Sequence, residues 1–143
     1  RGCGEAAAGR AAGYADSSYW ESRFQEQEGT FDWYATLAEL GDVFEEFCPP
    51  AEGLELLMVG CGNSSFSSEL YEAGYRHITN IDIAPAAVSK MGALYSHLDM
   101  RWMVMDAGAM EFESNHFGLT VDKGTLDAMM SGTSCPAVLA MVG

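Results

Sequence analysis

An α/β fold, a parallel sheet flanked by helices, is predicted for this chain by three observations. Four segments of strand length recur, at Leu54–Val59, Ile78–Asp82, Arg101–Met105 and Phe117–Val121; the first is an apolar run that reads as a buried parallel strand. Helical stretches with proline and glycine punctuation separate the earlier runs, and successive strand-helix units build a parallel sheet with right-handed crossovers. The first run enters Gly60-Cys61-Gly62-Asn63-Ser64, a glycine turn that lets backbone come close to a ligand where the next helix presents free N–H groups.

Taken in order, residues 1–13 are rich in glycine and alanine and read as a flexible leader. The fold proper is expected over 14–143. Asp16 or Ser17 caps a first helix running to about Glu26, and Phe31 to Phe47 reads as one or two helices with Leu37, Leu40, Val43 and Phe44 on the apolar face. Cys48-Pro49-Pro50 ends that segment, because the residue before a proline is pushed out of the helical region. After the first strand comes a helix from about Ser64 to Ala73, with Gly74 as its stop. Strand two follows, then a helix over about Pro85–Ser96 with proline in its first turn, strand three, strand four, and a helical turn from Thr125 to Met130. Methionines such as Met103 and Met105 read as core filling, since the flexible thioether suits irregular gaps.

Three positions narrow the ligand. Asp82 ends the second strand twenty residues past Gly62, where a carboxylate accepts hydrogen bonds from ribose hydroxyls. Asp106 ends the third strand; its carboxylate suits an adenine amino group, while the Asp106 or Ala107 N–H suits a ring nitrogen. Ser65 stands where a dinucleotide fingerprint has its third glycine, which disfavours a pyrophosphate. An adenosyl ligand with one ribose and no phosphate, as in S-adenosylmethionine, fits best. A tight turn with no ligand is the alternative for the glycine loop alone, and the two acids at successive strand ends weigh against it.

The strings Tyr19-Trp20-Glu21-Ser22-Arg23-Phe24, Phe31-Asp32-Trp33-Tyr34, Val59-Gly60-Cys61-Gly62-Asn63-Ser64 and Val121-Asp122-Lys123-Gly124-Thr125-Leu126-Asp127-Ala128 resemble motifs of the class I, seven-strand S-adenosylmethionine-dependent methyltransferases. Within that class they are similar to the METTL13-like group, which includes the elongation factor 1A lysine methyltransferases. The resemblance covers about Tyr14 to Met130, and the Asp-Lys-Gly-Thr-Leu-Asp-Ala string is its most specific part. It implies a Rossmann-like, partial class I methyltransferase fold with an N-terminal helical cap. It also implies that Trp20, Phe24 and Trp33 close over the cofactor, where aromatic faces favour a sulfonium and an adenine. Gly60 and Gly62 then form the glycine loop, Asp82 and Ile83 the ribose site, and Asp106 and Ala107 the adenine site. Lys123 is expected near the cofactor's amino-acid end. The reaction implied is methyl transfer to a lysine of a protein substrate, elongation factor 1A by resemblance. A lysine ammonium must first lose a proton, and Asp122 and Asp127 are the candidate acids to orient it or accept that proton through water; Asp127 reads equally as a helix-turn residue.

The chain departs from the family at its end. Ser131-Gly132-Thr133-Ser134-Cys135-Pro136 and a short apolar tail stand where further strands are expected. The domain therefore reads as partial, lacking the C-terminal strands, with one sheet edge uncovered and weak or absent activity in isolation. It begins with Arg1, as a processed, trimmed or incomplete chain does. A non-catalytic module that holds cofactor or partner is the alternative function; an NAD-dependent oxidoreductase is opposed by Ser65.

Composition agrees with a single domain: 143 residues can bury a core, and 48% are hydrophobic. With 21 acidic against 7 basic residues, a nucleic-acid partner is disfavoured, because a phosphate backbone calls for the opposite charge. A basic protein partner would be attracted; the alternative is that the acidity merely keeps the protein in solution. Cys3, Cys48, Cys61 and Cys135 are scattered, and His77, His97 and His116 have no partner at catalytic spacing, so neither a metal site nor a disulfide framework is expected. No apolar run reaches the roughly 20 residues that span a bilayer. A reducing, cytoplasmic setting is the expectation.

Overall fold

The structure is a computed structural model that describes residues 13–132. The expected leader, apart from Gly13, and the tail beyond Gly132 lie outside the described residues.

Helix α1 (Ser17–Glu26) begins at Asp16, whose carboxylate accepts from the Ser18 N–H at 2.9 Å. Helix α2 (Leu37–Phe47) is shorter than the sequence suggests: Phe31 to Thr36 is irregular. The boundary has a local cause. Glu39 reaches back to accept from the Thr36 N–H at 2.9 Å, one arm of a capping box. Strand β1 (Glu55–Val59), helix α3 (Phe66–Glu72), strand β2 (His77–Asp82), helix α4 (Pro85–Leu94) and strand β3 (Arg101–Val104) follow. A 3-10 turn (Ala107–Ala109), strand β4 (Leu119–Asp122) and helix α5 (Thr125–Met130) complete the described chain. Every expected strand is present. The fourth begins two residues later than expected and ends one later, at Asp122, with Gly118 N–H bonded to Glu55 O just ahead of it.

The four strands form one parallel sheet in the order β3-β2-β1-β4. Leu56 to Val59 are all buried, as a central parallel strand demands. Alternation then divides them. Leu56 and Met58 meet Phe66, Leu70, Tyr75 and Ile78 on the face covered by α2 and α3, with Leu37, Leu40 and Phe44 packed on top. Leu57, Val59 and Ile81 face the other way, against Ala107, Met110, Phe112, Phe117 and Met129. Asn80 is fully buried in β2 and fully engaged: its Oδ1 accepts from Ser67 at 2.5 Å and its Nδ2 donates to Arg101 O at 3.1 Å.

This order places the site. The chain runs from β1 outward to β2 and β3, then returns so that β4 lies on the other side of β1. The loops leaving β1 and β4 thus diverge at the carboxyl ends of adjacent strands, the crevice where open α/β sheets bind ligands.

Candidate functional site

Two adjoining cavities occupy that crevice. Gly60, Asp82, Ile83, Trp20, Tyr14 and Thr125 line both, so the two share a wall. The larger, about 590 Å³, extends to Met105, Asp106 and Ala107, and its size lies within the roughly 300–1,000 Å³ of small-molecule sites. The other extends to Phe24, Trp33, Tyr34, Gly62, Lys123 and Asp127. All ten residues expected to hold the cofactor therefore line one or other of these adjoining cavities.

The loop at its centre is built by left-handed backbone. Gly60 has φ +62° and Gly62 φ +51°. A methyl group on Gly60 would stand 1.7 Å from Thr125 Oγ1, and one on Gly62 would stand 3.2 Å from the Phe24 ring. The absent side chains make room for protein as well as for a ligand. Thr125 Oγ1 donates to Val59 O at 3.1 Å, which ties α5 to the end of β1. Cys61, between the glycines, is buried; burial and the Asp82 charge push its thiol well above the ordinary range, so it stays protonated and packs.

Asp82 is 6% exposed. Its Oδ2 accepts from Gly62 N–H at 2.8 Å and its Oδ1 from Ala84 N–H at 2.9 Å, and each oxygen keeps a second lone pair. Burial, reinforced by the Glu21 charge, pushes its carboxyl up against the pull of the Ala84, Gly62 and Ile83 N–H groups. Asp106 stands at the far end, where its Oδ1 accepts from Gly108 N–H at 2.8 Å.

The N-terminal segment closes the opposite wall. Trp20 and Phe24, four residues apart on α1, stack with centroids 5.7 Å apart, and Trp33 meets Trp20 edge-on at 6.4 Å. Arg23 lies 5.6 Å from the Trp20 ring centroid and 5.2 Å from that of Trp33. Trp20 Nε1 donates to Tyr14 O at 2.7 Å.

Asp32, which sequence reasoning passed over, holds this wall to the loop. Its carboxylate accepts from Ser64 Oγ, from Ser65 Oγ at 3.3 Å and from Lys123 Nζ at 2.5 Å. Burial pushes the Asp32 carboxyl up, but those hydrogen bonds and the Lys123 charge outweigh it and hold the group below its usual range. Lys123 also donates to Ala35 O at 2.7 Å and stands 4.1 Å from the Phe66 centroid. It lines the cleft, but its charge is spent on Asp32. A pyrophosphate at the Ser64–Ser65 turn would face the Asp32 carboxylate, so the geometry opposes a dinucleotide for a second reason beyond the missing glycine.

Of the two acids expected near the chemistry, Asp122 lines neither cavity. Its oxygens accept from Thr125 N–H at 2.8 Å and Leu126 N–H at 3.0 Å, which caps α5. That correction has a simple cause: an acid directly before a helix meets unpaired N–H groups. Asp127, one turn on, lines the cleft and accepts from the Tyr34 hydroxyl at 2.5 Å. Tyr14, Tyr34 and Thr125 were missed as lining residues; Tyr34 adjoins Trp33 in sequence, the one signal that could have found it.

A glycine loop at a strand-order reversal, an acid at the end of β2 and a second acid beyond β3 define an α/β protein that binds an adenosyl group. The methyltransferase domain family matches residues 56–142. The chain is 43% identical over 121 residues to an eEF1A lysine and N-terminal methyltransferase homolog of Drosophila melanogaster, a match covering 82% of this chain and 18% of that protein. It is 35% identical over 127 residues to EEF1A lysine methyltransferase 4 of Mus musculus, covering 86% of this chain and 49% of the relative. The chain thus spans between about a fifth and a half of these relatives' lengths. In fold it resembles a SAM-dependent methyltransferase of Anabaena variabilis, with TM-score 0.55 at 15% identity over 90% of this chain and 57% of that one. The chain belongs to the methyltransferase domain family, and its cofactor is S-adenosylmethionine.

Proposed function

We propose that this chain is the cofactor-holding part of a methyltransferase whose acceptor is a lysine amine on a basic protein, elongation factor 1A by likeness to its relatives. When bound, S-adenosylmethionine supplies a methyl group on a sulfonium, open to in-line displacement. The chain's residues do the rest. Asp82 holds ribose hydroxyls with the lone pairs its backbone partners leave free, and Asp106 and Ala107 read the adenine edge. Trp20, Phe24 and Trp33 wall the site against water and offer aromatic faces to a cation.

The observation that carries this reading is the polarity of the cleft. One end holds Asp106 and Ala107, the other Tyr34 and Asp127, with Asp82 and the glycine loop between. The strongly acidic composition, formal net charge −14, favours a lysine-bearing partner. A binding module without turnover is the second reading, favoured by Asp122, whose carboxylate is taken up in capping α5.

Calorimetric titration with S-adenosylmethionine, S-adenosylhomocysteine and NAD tests the cofactor site. Both adenosyl compounds are expected to bind and NAD to fail, with binding lost in Asp82→Ala. NAD binding the tighter would overturn the reading. Methyl incorporation into elongation factor 1A then separates an enzyme from a binding module.

A further inference from the structure

Tyr34 is the least comfortable residue in the described backbone and sits at the open end of the cleft. Its φ is +66°, and Ala35 N–H donates to Trp33 O at 2.8 Å around it, a three-residue turn. A bulky side chain in left-handed backbone is strained and persists where its surroundings fix it, typically at functional sites. Two contacts fix it here. The Tyr34 ring lies against Gly124, where a methyl group would approach to 3.2 Å, and its hydroxyl donates to Asp127 across 93 residues of sequence. Yet Tyr34 is 72% exposed, so burial does not account for the conformation.

Asp127 is singular among the acids of the cleft. Asp82 is engaged by backbone N–H groups on both oxygens, Asp16 caps α1, Asp106 caps the 3-10 turn, and Asp32 and Asp122, which line neither cavity, are committed to Lys123 and to α5. Asp127 is exposed, and among the described residues its recorded partner is the Tyr34 hydroxyl. The nearby cation, Lys123, is neutralised by Asp32.

We propose that Tyr34 and Asp127 form the amine-receiving end of the cleft, selecting a primary amine on a flexible alkyl stem over an alcohol or an acid. The Asp127 carboxylate accepts from the amine, and the Tyr34 oxygen, its proton directed to Asp127, offers a second acceptor. The exposed ring flanks the alkyl stem. A carboxylate acceptor would be repelled by Asp127, and a neutral hydroxyl would gain less from it. This rests on the methyltransferase reading above and adds the residues that choose its acceptor.

The test needs no knowledge of the protein substrate. Sinefungin is an analogue of S-adenosylhomocysteine in which the sulfur is replaced by a carbon bearing an amino group, so it presents an amine at the reacting end of the same ligand. Calorimetry is run with both ligands on the unaltered protein, Tyr34→Phe and Asp127→Asn. The unaltered protein is expected to prefer the amine analogue by about tenfold, the scale of one charge-assisted hydrogen bond. In both variants the preference is expected to fall to about twofold or less while S-adenosylhomocysteine affinity holds. Preference unchanged in both variants, or absent in the unaltered protein, overturns the inference and leaves the cofactor reading intact. Failure of the unaltered protein to bind S-adenosylhomocysteine overturns both. Should Asp127→Asn lose that affinity, Tyr34→Phe, which removes one exposed oxygen, decides the matter alone.

Discussion

Asp32 and Asp82 are both acids beside the glycine loop, and their surroundings push them in opposite directions. Asp82 pairs with neutral N–H groups, so burial wins and its carboxyl rises; Asp32 meets a cation, with the pair's side chains 13% and 11% exposed, and its carboxyl falls. The stability consequences are opposite too. A lowered folded value means the Asp32 contribution is fully present above the ordinary 3.8 and is lost as pH falls through the folded value. A raised value means the Asp82 carboxylate opposes folding increasingly as pH climbs from 3.8 through its folded value, and stays unfavourable at neutrality. Asp32→Asn leaves Lys123 largely buried without its partner, so a loss of about 1–3 kcal/mol is expected at pH 7. Denaturant unfolding at several pH values should show that difference shrinking as the solution is acidified below the ordinary carboxylate range; a constant difference would mean the hydroxyls of Ser64 and Ser65, not the charge, hold the segment. Neither acid's role was equally legible. Asp82 was readable from its spacing to Gly62, whereas the partner of Asp32 lies 91 residues away, beyond any local pattern.

Elements whose boundaries arise locally were readable; those that depend on a neighbour were not. Strand β1 follows from an unbroken apolar run, and α4 from a proline in its first turn. The irregular stretch before α2 was read as helix because its aromatics suit a helical face, although Thr36-Leu37-Ala38-Glu39 carries a capping-box signal that marks the true start. The position of α1 rests on a distant residue. Lys90 Nζ in α4 donates to Phe24 O at 2.6 Å, Gln25 O at 2.9 Å and Gln27 O at 3.3 Å, which satisfies carbonyls at the end of α1 with a cation where the helix dipole favours one. Lys90→Met is expected to cost about 1–2 kcal/mol and to raise amide exchange over Ser17–Glu26 while β1 stays protected. Since Trp20 and Phe24 ride on that helix, cofactor affinity should fall with it. Unchanged exchange in α1 would assign the tether to the aromatic stack instead.

At the scale of the whole molecule, charge is the property most open to test. With 21 acidic and 7 basic residues, attraction of a lysine-rich protein should be felt at low salt and screened as the Debye length shrinks from about 10 Å at 0.1 M to about 3 Å at 1 M. Affinity for elongation factor 1A, measured at fixed pH, is therefore expected to weaken by about tenfold or more across that range; salt-independent affinity would mean the acids merely solvate the surface. No helix among the described residues is long and apolar enough to cross a membrane. The sequence by itself determined the class of fold, the glycine loop and the acids at the ends of β2 and β3, because each is a property of contiguous residues: an apolar run, a turn, a strand terminus. Only the tertiary structure decided that β4 returns beside β1, that Asp127 lines the cleft, and that Tyr34 is held in left-handed backbone. The pairing of β1 with β4 and the Tyr34–Asp127 contact join residues 63 and 93 positions apart, and they exist only once the sheet has closed the distance.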